Sequence, residues 1–156
     1  MAIVTDDTID KFGTQDAVDD GSTAALTDTS VSVTADITSW VNDDDAPRAK
    51  LVLTWQYASG TIDAGGHVNL FYSKNNILST SDENVPAAGN LKHFVGTFVV
   101  DENLSTATDE LIAITIELKN WVTSSSYDFA IENRTGVTMA ANWDIDITPL
   151  TVGPHA

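Results

Sequence analysis

The chain has 156 residues, 42% of them hydrophobic, enough for a single domain with a core of its own. Twenty-three acidic residues against seven basic ones leave a formal net charge of −16, so nucleic acid and anionic membrane surfaces are expected to be repelled rather than bound. Cysteine is absent, which excludes disulfides, thiolate metal sites and a cysteine nucleophile.

The opening MAIVTDDTIDKFG has neither the basic start nor the long apolar run of a secretion signal. No apolar stretch is long enough to span a bilayer, so synthesis in the cytoplasm is the expectation. Residues 1–30 are rich in Asp, Thr, Ser, Ala and Gly, with Ile3, Val4, Ile9, Phe12, Val18 and Leu26 as their large apolar side chains. The charge is uneven: up to Ala46 there are eleven Asp against one Lys, a net of −10, while the remainder holds twelve acids and six bases, a net of −6. Residues 1–30 therefore read as an acidic arm or extended edge segment, and residues 31–156 as the folded domain. A solvated terminus and an arm that orders on a neighbouring subunit are both open readings of the first segment.

From Ser30 the pattern is one of strands and turns. SVSVTADITSW alternates with period two, placing Val31, Val33, Ala35 and Ile37 on one face, and NDDDAP breaks it. RAKLVLTWQYA predicts a strand with Leu51, Leu53, Trp55 and Tyr57 in alternation. After the Gly-rich turn SGTIDAGG, HVNLFYS sets Val68, Leu70 and Tyr72 on one side. Lys74 to Asn90 is too polar for core and reads as a surface loop. LKHFVGTFVV returns as a strand whose internal Gly96 signals a bulge or a close backbone approach.

LIAITIELKNW has a helical alternative through Leu111, Ile114 and Leu118. Strict alternation of Ile112, Ile114, Ile116 and Leu118, together with β-branching, favours a strand. SSYDFAIENRTG contributes Tyr127, Phe129 and Ile131, and NWDIDITPL closes the set with Trp143, Ile145 and Ile147 facing one way and Asp144, Asp146 and Thr148 the other. About eight strands and no helix predict an all-β antiparallel β-sandwich, jelly-roll-like, with an extended acidic N-terminal arm.

Chemistry is sparse. His67, His93 and His155 form no metal-ligand spacing, and His93 beside Phe94 reads as structural. No GxSxG elbow or phosphate-cradling glycine loop is present. Asp144 and Asp146 stand roughly 7 Å apart on one strand face, a spacing glycosidases use. Such enzymes draw those carboxylates from different strands around a cleft, so solvated strand acids are the reading here. Asn42 to Asp45 could collect calcium but lacks the DxDxDG pattern, and a plain acidic turn is preferred. The glycosylation sequons at Asn103 and Asn133 read as coincidence. Trp40 and Trp121, at strand ends, either close the core or offer platforms to a sugar or a protein partner.

Residues 50–153 carry a resemblance. YDFAIEN, TGVT and ANWDIDITPLTVGP near the C-terminus, with GHVNLFYS and KHFVGTFVVD earlier, resemble segments of small virion structural proteins of tailed bacteriophages. The resemblance implies a non-enzymatic β-sandwich on the particle, without catalytic residue, cofactor or metal. The implied role is a capsid decoration (cement) protein that binds the major capsid protein on the outside of the head and links neighbouring capsomers. It also implies a homo-oligomer, with a trimer favoured, assembled in the host cytoplasm and resident in the virion. Ile3, Val4, Ile9, Phe12, Val18, Leu26, Trp40 and Trp121 are the expected interaction residues. A tail, adaptor or fibre protein of the same virion and a carbohydrate-binding module are the alternatives.

Overall fold

The computed structural model describes residues 8–19, 21, 23–32, 39–75, 83–119 and 123–154. They form nine strands: β1 (Thr8–Phe12), β2 (Asp16–Ala17), β3 (Trp40–Asn42), β4 (Arg48–Trp55), β5 (His67–Asn75), β6 (His93–Val99), β7 (Glu110–Glu117), β8 (Ser125–Arg134) and β9 (Asp144–Pro154). Among the described residues there is no helix. The strands make two antiparallel sheets, β1-β9-β4-β7 with β2 also on β9, and β3-β8-β5-β6.

Counting β1 and β2 as one interrupted strand, the pairings β1/β2 with β9, β3 with β8, β4 with β7 and β5 with β6 are those of a single long hairpin. That ribbon is rolled so that β9 meets β4 and β8 meets β5. This is the jelly roll, which hides most strand edges inside two stacked sheets.

Period-two alternation builds the core. Along β4, Ala49, Leu51, Leu53 and Trp55 are buried, while the residues between them are half-exposed. Register sets Leu51 between Ile114 and Ile147, and Leu53 between Ile112 and Ile145. From the opposite sheet come Val68, Leu70, Tyr72, Phe98, Tyr127, Phe129 and Ile131. Trp143, just ahead of β9, is 1% exposed, and its indole N–H donates to the Ala24 carbonyl at 2.9 Å. Each such side chain contributes about 1.5–3 kcal/mol, and a slip of one residue would turn the whole set outward.

LIAITIELKNW is a strand, not a helix, as its β-branched alternation requires. Around Gly96, pairing passes from Leu70↔Gly96 to Phe71↔Phe94, so Val95 is the extra, bulged residue. A β-carbon at Gly96 would lie 3.1 Å from Ile114 Cδ1, so the bare backbone lets β6 cross closely over β7.

Residues of the N-terminal segment lie on the sandwich. Thr8–Phe12 and Asp16–Ala17 run antiparallel along β9 at one edge of its sheet. Val18 and Leu26, expected on an interaction surface, are inside this chain's own core. Val18 N donates to the Ile145 carbonyl at 2.9 Å, and Leu26 exchanges backbone hydrogen bonds with Met139. The physical reason is that the sheet needs a strand beyond β9 and apolar side chains to close the core there. Of the stretch expected as a strand from Ser30 to Trp40, Val31 bridges Glu132 and Trp40 opens β3. Val33, Ala35 and Ile37 lie outside the described residues, as do Ile3, Val4, Trp121, His155 and the side chain of Ile9.

Candidate functional site

The two sheets part along one side of the sandwich, where β6 and β7 are the last strands of their sheets. They touch at Gly96 and Ile114 and diverge toward Lys92 and Lys119. The groove between them has a volume of about 430 Å³ and is lined by Tyr72, His93, Phe94, Val95, Thr115, Ile116 and Glu117 with the two lysines. Its size falls in the range of small-ligand sites.

The groove's polar wall is a hydrogen-bonded and stacked cluster. Glu83 accepts from His93 Nε2 at 2.9 Å through one oxygen and from the Lys74 backbone N–H at 2.9 Å through the other. The His93 ring stacks on Tyr72 at 5.3 Å, and Tyr72 meets Tyr127 edge-on at 5.3 Å. Burial by itself would raise the Glu83 carboxyl, but the hydrogen bonds from His93 and Lys74 outweigh it and hold the group below the usual glutamate range. Burial, then the Glu83 charge, pushes the Tyr72 phenol up, away from ionisation at neutral pH. His93, read as structural, is therefore a half-exposed groove residue tied to a carboxylate. His67 bonds the Gly65 carbonyl through Nδ1 at 3.0 Å.

The outer face of the β1-β9-β4-β7 sheet is polarised along its length. At one end Phe12, Leu150, Arg48 and Glu117 stand side by side across four strands. Phe12 is 66% exposed, with the Lys50 ammonium 5.8 Å from its ring centroid. At the other end Asp144 and Asp146 look outward. Burial, then Asp19, Asp146 and Asp109, raises the Asp144 carboxyl. Burial and Asp19 raise Asp146, against a hydrogen bond from Gln15. They sit on an open sheet face beside Val52 and Thr54, an arrangement for solvated acids rather than for a cleft-bound pair.

Trp40 is 5% exposed, tilted on Tyr127 at 5.9 Å, and its indole N–H reaches Asp16 at 3.3 Å. It closes the core and is no platform for sugar or protein. Phe12 alone of the expected interaction residues with a described side chain faces solvent. The outward apolar residues that sequence reasoning passed over are Val41, Phe94, Val99, Leu111 and Val152. For Leu111 the signal was available: with Ile112, Ile114 and Ile116 inward, Leu111 is out of phase and must face water.

The acidic turn after β3 is built by Asn42, whose side chain bonds both the N–H and the carbonyl of Ala46. Asp45 accepts from the Ser124 N–H at 2.9 Å. Among the described residues no group of three or more His, Asp or Glu side chains is arranged to hold a metal ion, and no helix is long and apolar enough to cross a membrane. Asn133 of the second sequon is fully buried. Its amide donates to the Leu26 and Val137 carbonyls, and its oxygen accepts from the Thr135 N–H and hydroxyl. That site is a structural polar hub, out of reach of any modifying enzyme in the folded state.

These features define the class: a jelly-roll β-sandwich with a groove between β6 and β7. No protein-family model matches the chain, and no curated protein sequence matches it.

Proposed function

We propose that this chain is a bacteriophage capsid decoration protein, which docks on the outside of the head and links neighbouring capsomers. The observation that carries the reading is the distribution of surface apolar residues on a fully formed jelly roll. Phe12, Phe94, Val99, Leu111 and Val152 are each more than half exposed, on a chain of net charge −16. Phe12 stands directly opposite Leu150, and Val152 lies two residues further along the same outward face, so exposed apolar side chains adjoin there as a docking contact requires. The strong negative charge keeps closely arrayed copies soluble. The resemblance of residues 50–153 to phage virion proteins points the same way.

Docking would use the exposed Phe12 edge of the first sheet and the strand-end surfaces, with the major capsid protein as partner. The test is binding of the purified chain to expanded heads that lack it. Many copies spread over the shell, reduced for Phe12→Ser, support the reading. Recovery of a few copies at a single vertex would move the chain to the tail or its adaptor. No binding to heads or tails overturns the virion role.

A further inference from the structure

Sheet edges expose unpaired N–H and C=O groups, and proteins protect them with short strands, bulges, lysines or prolines. Three edges here are protected. β1 has five residues and carries Lys11, β3 has three, and β6 is bulged at Val95 with Lys92 and His93 at its start. β7 differs: ELIAITIE is eight residues long, paired to β4 without a register shift, and holds no Lys, Pro or Gly, its charges being confined to Glu110 and Glu117 at its two ends.

The direction of its free backbone groups follows from one hydrogen bond. Leu118 N donates to the Pro47 carbonyl on the β4 side at 2.8 Å. Bonding direction alternates along a strand, so the even-numbered residues of β7 face β4. Leu111, Ala113, Thr115 and Glu117 accordingly turn their N–H and C=O groups to the open edge. The side chains at this edge are also incompletely covered. Leu111 is 69% exposed, and Ile112 and Ile114 pack on the core while only partly buried.

We propose that β7 pairs antiparallel with β7 of a second copy of this chain, about a twofold axis at Ile114, joining the two β1-β9-β4-β7 sheets into one. Charge selects this register. Centred on Ile114, Ala113 faces Thr115, Leu111 faces Glu117, and Asp109 faces Lys119 of the second copy, twice by symmetry. Inward, Ile114 meets its own mate and Ile112 meets Ile116, so the half-covered isoleucines complete each other's core. Centring on Ala113 would set Asp109 against Glu117, and like charges directly opposite destabilise. Centring on Thr115 sets Leu111 against Lys119 and breaks the Asp109–Lys119 match. The inference goes beyond the decoration reading and does not depend on it.

Sedimentation velocity on the full chain tests it. The wild type should be a dimer. Lys119→Glu, at an exposed position outside the core, should weaken dimerisation roughly 10-fold by setting two like-charge pairs against each other. Asp109→Lys combined with Lys119→Glu should restore it. The chain lacks cysteine, so single cysteines report register cleanly. Ile114→Cys should cross-link with itself on mild oxidation, because directly opposed non-hydrogen-bonded residues lie about 4.5 Å apart, within disulfide reach. Leu111→Cys, displaced from its mate by about 20 Å, should not. A monomeric wild type, a double swap that fails to restore association, or equal cross-linking at both positions would each overturn the proposal. Should Ile114→Cys fail to fold, the surface charge variants still decide the question.

Discussion

Asn133 holds Leu26 in place: its side-chain amide donates to the Leu26 carbonyl at 2.8 Å, across 107 residues of sequence. The same amide bonds the Val137 carbonyl at 2.7 Å, and its oxygen receives the Thr135 N–H at 3.0 Å. One buried side chain thereby ties the N-terminal segment to the end of β8. Asn133→Ala removes it and leaves the buried Thr135 N–H without its acceptor, while the Leu26 carbonyl still accepts from the Met139 N–H and the Val137 carbonyl from the Thr135 hydroxyl. An unsatisfied buried group costs about 1–3 kcal/mol, so a loss of stability in that range is expected, as read by urea unfolding. A loss below 0.5 kcal/mol, on the order of a surface substitution, would show that water reaches this site.

Gly96 is the point where β6 crosses β7. Gly96→Val should cost about 1–3 kcal/mol by overpacking against Ile114. Shortening the neighbour relieves the clash, so Gly96→Val with Ile114→Val should cost less than the two single changes summed. A double-mutant cycle on chemical unfolding measures the difference, and strict additivity would refute the contact.

Trp40 is a core residue. Trp40→Ala should destabilise by about 3–5 kcal/mol, the range for removing a large buried aromatic, and should show as a lower thermal midpoint. Phe12→Ser, by contrast, should leave the midpoint within a degree or two, because the ring is 66% exposed. Unchanged stability of Trp40→Ala would contradict its burial.

The acidic end of the first sheet gives a pH dependence of definite sign. Asp144 and Asp146 have folded-state pKa values raised above the ordinary 3.8, first by burial and then by neighbouring carboxylates. The folded state therefore binds their protons more tightly than the unfolded chain. Their contribution is most favourable below 3.8 and is lost as pH rises through the raised values. Asp144→Asn and Asp146→Asn should each stabilise the protein at pH 7, by under about 1 kcal/mol because solvent screens these groups. Thermal melts should show the gain shrinking with added salt and vanishing at acid pH. Glu83 and Glu132 behave oppositely. For both, burial opposes ionisation but hydrogen bonds, from His93 and Lys74 or from Arg134 and Asn69, hold the pKa below 4.5. Their stabilisation is present above 4.5 and disappears as pH falls through the lowered values.

How much of this was legible beforehand depended on whether a feature is local. Alternation of apolar and polar residues is a property of a few consecutive side chains, so β4, β5, β7, β8 and β9 could be read directly, along with the inward sets Leu51–Leu53–Trp55 and Ile145–Ile147. Gly96 announced a bulge for the same reason. The groove was not legible, because Tyr72, Glu83, His93 and Lys119 meet only after β5, β6 and β7 are brought together. Nor was the hub at Asn133, whose partners lie far away in sequence and which shows there only as a chance sequon.

The sequence by itself determined an antiparallel β-sandwich, its net charge of −16 and the inward faces of its strong strands, because burying one face of each alternating strand outweighs every competing local preference. Only the tertiary structure decided that Val18, Leu26 and Trp40 belong to the core while Phe12 does not. It also decided that, among the described residues, β7 ends its sheet. Those outcomes turn on which strands become neighbours, and in a rolled hairpin that is set by pairings between residues as far apart in sequence as Thr8 and Pro154, which no local pattern records.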